Sequence, residues 1–182
     1  AEGYAAGNNL TTGVQNTIVG GLAGDALTVG QNNVVMGVSA LSSDVGGSRT
    51  VAIGRGALEA QNMGTTDTNS HNVAVGYGAG GAVTTGVRNT LLGALEGDAL
   101  TSSNENVAVG YAALGATTTG DANTSIGAFS LQTNILSDRN VALGHSALAT
   151  HNQATRVDSY NTAVGFFAGE KLTTGKENTI IG

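Results

Sequence analysis

The sequence contains no proline, cysteine or tryptophan, and only 11% of its 182 residues are charged. Without cysteine, the chain can form neither disulfides nor thiolate metal sites. Its seven basic residues are scattered, so we expect no binding to nucleic acid or to an anionic membrane surface. No apolar run approaches the roughly 20 residues of a membrane helix, and we therefore predict no membrane insertion.

Glycine is abundant, with 29 residues, and asparagine, threonine, serine and alanine make up much of the rest. Such a composition can signal disorder, but disordered chains usually combine high net charge with low hydrophobicity. Here 40% of the residues are hydrophobic, and they recur at regular positions. The regularity favours a repetitive folded structure over a disordered one.

A pentapeptide of the form N-[TV]-x-[VILM]-G recurs along the chain. Its copies begin at Asn16, Asn33, Asn72, Asn89, Asn106, Asn123, Asn140, Asn161 and Asn178, and a further copy begins at Thr50. Successive copies start 17 residues apart except at two steps of 22 and 21 residues, which carry insertions near residues 61–70 and 151–159. We number the 17 positions of each unit from its first residue, the Asn or Thr.

A 17-residue unit is too short for a helical hairpin repeat, which needs about 33 residues. Segments such as NVAVG and NTLLG are typical of short strands. Units of this kind, stacked about 4.8 Å apart, form a parallel β-solenoid. We therefore predict an all-β fold over residues 1–182: one β-solenoid, of the β-roll or β-helix kind, with about ten 17-residue coils and uncapped at both ends.

In a solenoid, equivalent residues of neighbouring coils lie on top of one another. The nine asparagines that start the units then form a structural ladder at a coil corner, where their amides bond to each other and to turn backbone. The alternative, a ligand-binding row of asparagines, is the less favoured interpretation.

Alternation along the strand predicts that positions 2 and 4 point one way and position 3 the other. We assign positions 2 and 4 to the coil interior, for example Val107 and Val109. Position 3 is then outward and almost wholly apolar, which soluble monomers rarely tolerate over a long stripe. The prediction is lateral association of several chains, with the chain number open. The candidate inter-chain contacts are Ile18, Val35, Leu91 and Ile180.

Aromatic residues follow the same frame. Position 6 holds Tyr4, Tyr77, Tyr111 and Phe166, and position 7 holds Phe129 and Phe167. An aromatic row can stack against sugars, although packing between coils or chains is its commoner role.

No catalytic constellation is visible. The three histidines, His71, His145 and His151, lack metal-ligand spacing, and the acids occur singly in turns. We predict no enzymatic activity, no catalytic or metal residues and no cofactor. Loops carry function more often than regular coils do, so the insertions are the candidate receptor-contact loops. Their candidate residues are Asp67, Asn69, His151, Arg156 and Asp158.

The units NTAVG…AG…TTG and NVAVGY resemble the repeats of phage tail-fibre proteins and related bacterial surface fibres. At VAVG and VAIG they are also similar to the head repeats of trimeric autotransporter adhesins, whose unit is shorter than 17 residues. The resemblance covers essentially the whole chain. It implies a homotrimeric extracellular fibre, on a virion or a bacterial cell surface, that positions a receptor-binding tip.

The partners implied are two further copies of the chain, end-to-end neighbours or flanking fibre domains, and a host-surface glycan or receptor. Three alternatives stay open. One is a bacterial surface adhesin or filament, and another is a glycan- or ice-binding solenoid. The third, a glycan-cleaving β-helix, needs two facing carboxylates about 5–9.5 Å apart, and no pair is nominated.

Overall fold

The computed structural model describes residues 1–182, which form strands, turns and loops without any helix. Ten three-residue strands form one parallel sheet, in which neighbouring strands belong to successive coils. They are β1 (Thr17–Val19), β2 (Val34–Met36), β4 (Val51–Ile53), β6 (Val73–Val75), β7 (Thr90–Leu92), β8 (Val107–Val109), β9 (Thr124–Ile126), β11 (Val141–Leu143), β13 (Thr162–Val164) and β14 (Thr179–Ile181). No segment has the length and helical form needed to span a membrane as a helix.

Two shorter parallel pairs involve the insertions. Strand β5 (Thr68–Asn69) pairs with β3 (Gly47–Ser48), and β12 (Val157–Asp158) pairs with β10 (Ser137–Asp138). Equivalent positions are in register throughout the main sheet, as where Ala108 pairs with both Leu91 and Ser125. The predicted parallel β-solenoid of about ten coils is therefore confirmed.

Left-handed backbone conformations turn the chain at each corner. The motif glycine at position 5 has φ between 118° and 144° in every coil from Gly3 to Gly165. A Cβ on Gly76 would lie 1.4 Å from the carbonyl oxygen of Gly93 in the next coil, so only glycine fits there. The residue before each Asn also has positive φ, 59° for Arg88 and 61° for Glu105, although it is not glycine.

The strand side chains point in the opposite direction to the one expected. Position 3 faces the interior: Ile18, Val35 and Leu91 are buried in the solenoid's own core, and Ile180 packs against it. These four residues are therefore not available for contacts between chains. Position 3 is alanine in five of the coils, Ser125 in one, and Ile, Val or Leu in the other four.

Positions 8, 9 and 12 complete the core, and positions 9 and 12 occur in two combinations. In what we call glycine coils, position 9 is glycine and position 12 is aliphatic; the pairs are Gly24 with Leu27, Gly80 with Val83, Gly97 with Leu100, and Gly169 with Leu172. In leucine coils, position 9 is leucine and position 12 is polar; the pairs are Leu41 with Asp44, Leu58 with Gln61, Leu114 with Thr117, Leu131 with Asn134, and Leu148 with His151.

In both combinations the same volume of the core is filled, from position 9 in leucine coils and from position 12 in glycine coils. A Cβ on Gly97 would lie 2.5 Å from Cδ1 of Leu100 and 2.9 Å from Cδ2 of Leu91. The aliphatic side chain at position 12 thus occupies the volume that leucine at position 9 fills in the other coil type. The remaining core position, position 8, is alanine in most coils, Ser130 in one and Glu96 in another.

Candidate functional site

The outward side of the main sheet is a continuous apolar surface, which we call the strand face. It consists of positions 2 and 4 of every strand, and these are all Thr, Val, Ile, Leu or Met. Position 4 is the more exposed: Met36 and Ile126 each retain 41% of their accessible surface and Ile181 79%. Ten strands at about 4.8 Å spacing make this face about 48 Å long.

No charged side chain interrupts the strand face, but charges line one of its edges. On that edge, Arg88 at position 17 pairs with Glu105 of the next coil at 2.8 Å. Both side chains of the pair are more than half exposed, so the contact adds at most about 1 kcal/mol to stability. The sequence pattern did not identify the strand face, because positions 2, 3 and 4 are all mainly apolar.

The other edge of the strand face carries the aromatic residues. The rings of Tyr111 and Phe129 lie 5.5 Å apart between centroids, and those of Phe129 and His145 lie 5.6 Å apart. His145 stacks on Phe166 at 5.2 Å, and Phe166 contacts Phe167 edge-on at 4.2 Å. We call this row, which crosses four successive coils, the aromatic track.

The nine motif asparagines stand in one column at a corner, and most are fully buried. From Asn16 to Asn161, Oδ1 of each accepts the backbone N–H of position 1 in the next coil, as from Asn106 N to Asn89 at 3.0 Å. Most Nδ2 groups donate to the carbonyl at position 15, as from Asn106 to Gly120 at 2.9 Å, and Asn140 donates to the carbonyl of Asp138. The buried asparagines thus use their polar groups within the column.

At Thr50, where the Asn column is interrupted, other side chains supply the missing polar groups. Gln61 donates to Asp44 at 2.6 Å and accepts from Nδ2 of Asn72 at 2.8 Å. Ser70 lies 2.6 Å from the Thr50 hydroxyl. Asp44 also accepts backbone N–H groups, and its burial raises the pKa of this carboxyl above its ordinary value.

The first insertion folds back on the preceding coils instead of projecting from them. Asp67 accepts hydrogen bonds from Ser48 and Gln31, and these bonds lower the pKa of its carboxyl. Asn69, in β5, has an exposed side chain. Of the candidate receptor-contact residues, these two are on the surface and close together in sequence.

The second insertion is held by charged contacts. Arg156 pairs with Asp121 and, at 3.0 Å, with Asp138, while Asp158 pairs with Arg139. Both candidates from this loop, Arg156 and Asp158, are thus on the surface but already engaged within the chain.

The remaining candidate from the second insertion, His151, lies at interior position 12 and is completely buried. It cannot contact a receptor. Burial lowers the pKa of His151, and its Nδ1 has no hydrogen-bond partner. The error arose because the insertion begins after His151, so this residue still belongs to the regular coil.

One buried carboxyl group was not anticipated. Glu96 stands at position 8, between Ala79 and Ala113 of the neighbouring coils, and both its carboxyl oxygens lack partners. Burial, with a smaller contribution from Asp98, raises the pKa of Glu96 to about 7. The signal in the sequence was a glutamate at a position that otherwise holds alanine or serine.

Comparisons of the chain with family models, with curated proteins and with solved structures gave no match.

Proposed function

We propose that this chain is a structural segment of an extracellular fibre, in which copies associate side by side along the strand face. Its role is to give the fibre length and rigidity and to position a receptor-binding tip. The observation that carries the proposal is the strand face: an uncharged apolar surface that follows the whole length of the solenoid.

The size of the strand face supports association. A length of about 48 Å and a width of about 10 Å, three residues at about 3.3 Å each, give about 480 Å² of flat area. The accessible area is larger because side chains project from the sheet. A stable interface buries roughly 800 Å² per partner, so association needs the whole face together with its projecting side chains.

The periodicity of the face favours another copy of the same chain as the occupant. Its rows of side chains repeat at about 4.8 Å, and a second copy presents rows with the same spacing and length. The net charge of −6 resides elsewhere on the chain, so copies can meet here without direct repulsion between charges. The resemblance to tail-fibre and autotransporter repeats favours three copies, on a virion or a bacterial surface, and no catalytic role.

Sedimentation or light scattering tests the association. The expected mass is three times the 17.9 kDa of one chain. Ile126→Asp places a charge in the strand face and is expected to give monomers with an unchanged circular dichroism spectrum. Ser43→Asp, which adds the same charge at an exposed position on another corner, should remain associated.

A wild-type chain that is monomeric at micromolar concentrations would contradict the proposal. So would an Ile126→Asp variant that is folded and still associated, since the copies would then meet elsewhere.

A further inference from the structure

A surface notch opens where one coil lacks a side chain at its corner. Asp98, Gly115 and Gln132 occupy position 10 of three successive coils, with the glycine in the middle. The resulting cleft of about 490 Å³ is lined by these residues together with Leu95, Tyr111 and Ala112, among others. Its volume falls within the range of small-molecule sites, about 300–1,000 Å³.

The two walls of the notch are polar and its floor is apolar. Asp98 and Gln132 are two coils apart, about 9.6 Å along the solenoid axis. Oδ1 of Asp98 lies 3.7 Å from the point where a Cβ of Gly115 would be, so the carboxylate borders the empty space. Neither wall residue is buried, and the carboxylate and the amide can both bond to a ligand in the notch.

The aromatic track begins at this notch. Tyr111 is both a lining residue of the notch and the first ring of the track, and its ring is about half exposed. From Tyr111 the rings continue through Phe129 and His145 to Phe166 at centroid distances of 5.2–5.6 Å. The notch is thus the closed end of a longer apolar strip that runs along the solenoid.

We propose that the notch and the aromatic track form a binding site for a neutral oligosaccharide, with one pyranose ring in the notch and further rings on the track. A pyranose has an apolar face that can pack on Tyr111 and equatorial hydroxyls that can bond to Asp98 and Gln132. The site combines apolar lining with a few convergent polar groups, as small-molecule sites do.

Charge favours a neutral sugar over an anionic ligand. Asp98 lines the notch, no cationic residue does, and the chain carries a net charge of −6. A phosphate or a sialic acid carboxylate would meet repulsion there. The site lies at positions 6 to 11, beyond the strand face, so it is open in a single chain and does not depend on association.

Gly115→Gln tests the notch directly. The substitution should fold, because Gln132 and Glu59 already occupy position 10 in other coils and Gly115 does not have a positive φ. Ser42→Gln is the control: it places the same side chain at position 10 of a coil that does not adjoin the notch. Tyr111→Leu keeps apolar volume while removing the ring.

The measurement is binding of neutral oligosaccharides, from monosaccharides to hexasaccharides, on a glycan array and then by saturation-transfer NMR. Wild type and Ser42→Gln should bind the same oligosaccharide, with affinity rising with its length. Gly115→Gln and Tyr111→Leu should each bind at least about tenfold more weakly, about 1.4 kcal/mol in binding free energy.

Absence of binding to any neutral oligosaccharide would overturn the proposal. Equal binding by folded Gly115→Gln and wild type would overturn it too, as would equal loss in Ser42→Gln. Light scattering on the same samples reports the chain number separately, so failure of this site is distinguishable from failure of the fibre proposal.

Discussion

Leucine coils and glycine coils bury similar interiors but place their polar residues differently. A leucine coil fills the core from position 9, which frees position 12 for a polar side chain beside the Asn column, as with Gln61 and Asp44. A glycine coil fills the core from position 12 and has no polar side chain there. The residue at position 9 therefore decides whether position 12 is available for a polar side chain that can form further hydrogen bonds.

The insertions follow this difference. Each begins directly after position 12 of the last leucine coil before a glycine coil, after Gln61 in one case and His151 in the other. At the first insertion, Met63 N–H donates to Asp44, the residue at position 12 of a leucine coil, at 3.0 Å. At the second insertion, His151 at position 12 has no hydrogen-bond partner for its Nδ1. Only the first insertion is therefore bonded to a buried polar side chain at position 12.

Converting one coil type into the other should produce the largest effect. Leu148→Gly empties position 9 and should lower the free energy of unfolding by about 4 kcal/mol through the cavity it leaves. His151→Leu alone overfills the core and should cost about 2 kcal/mol. The double variant recreates a glycine coil and removes a histidine with an unpaired Nδ1, so its stability should return close to that of wild type.

Urea denaturation followed by circular dichroism measures the three values as a double-mutant cycle. Additive losses in the double variant would show that positions 9 and 12 do not share one volume.

The next effect concerns Glu96, a polar residue in a glycine coil without partners. Its pKa is raised in the folded chain, from 4.5 to about 7, so the protonated form favours folding. Stability from this group is full below about pH 4.5 and is lost as the pH rises to about 7, by about 3 kcal/mol. Glu96→Ala should remove this loss and stabilise the chain at pH 8.

Unfolding free energies measured between pH 4 and pH 8 provide the test, with Glu59→Ala, which removes an exposed carboxylate, as the control. A decline for Glu96→Ala as steep as that of wild type would assign the pH dependence to other groups.

A smaller effect is expected from the Asn column. Asn89→Thr, in a glycine coil, leaves the N–H of Asn106 and the carbonyl of Ser103 without partners and should cost about 2 kcal/mol. At Thr50 the N–H of Asn72 donates to Ser70 Oγ at 3.3 Å, and Gln61 bonds to the Thr50 hydroxyl and to Nδ2 of Asn72. Thermal unfolding compares Asn89→Thr with Thr50→Asn, which should be nearly neutral. Equal losses would contradict the compensating role of Ser70 and Gln61.

The smallest effect distinguishes the two insertions. Arg156→Gln removes the ion pairs of a half-exposed guanidinium with Asp121 and with Asp138, whose carboxylate is largely buried, and should cost about 1 kcal/mol. The cost should shrink in molar salt, because salt screens exposed charges. Asp67→Asn, in the insertion held by hydrogen bonds to neutral side chains, serves as the salt-insensitive comparison. Thermal unfolding in low and high salt measures both, and a salt-independent loss for Arg156→Gln would contradict the electrostatic account.

The repeat period, the short strands and the parallel solenoid were predictable, because the 17-residue spacing leaves few other ways to stack the apolar segments. The direction in which the strand side chains point was not predictable. Val34, Val35 and Met36 are all apolar, so alternation cannot tell the inside from the outside. The direction becomes visible only when the whole coil is in place, because positions 8, 9 and 12 lie on the same side as position 3 and complete the core there.

The candidate site residues show the same limit. The Asn column follows from the repeat alone. The notch depends on Gly115 lying between Asp98 and Gln132, which are far apart in sequence and become neighbours of Gly115 only when the coils stack. His151 was wrongly assigned to the insertion, although it is the twelfth residue of the unit that starts at Asn140, and its burial places it in the coil. The notch, in contrast, depends on contacts between coils, which a linear pattern does not display.

Because the coils stack in register, each unit adds the same fixed length to the solenoid. Apart from the unit that starts at Thr50, each unit bonds to the next through the same backbone and Asn contacts, so duplication or deletion of one regular 17-residue unit leaves both neighbours with their usual partners. Each such event would change the length by about 4.8 Å and disturb neither the strand face nor the column. In evolution, a gene of this kind can adjust the reach of its product in small, equal steps by recombination between its own repeats.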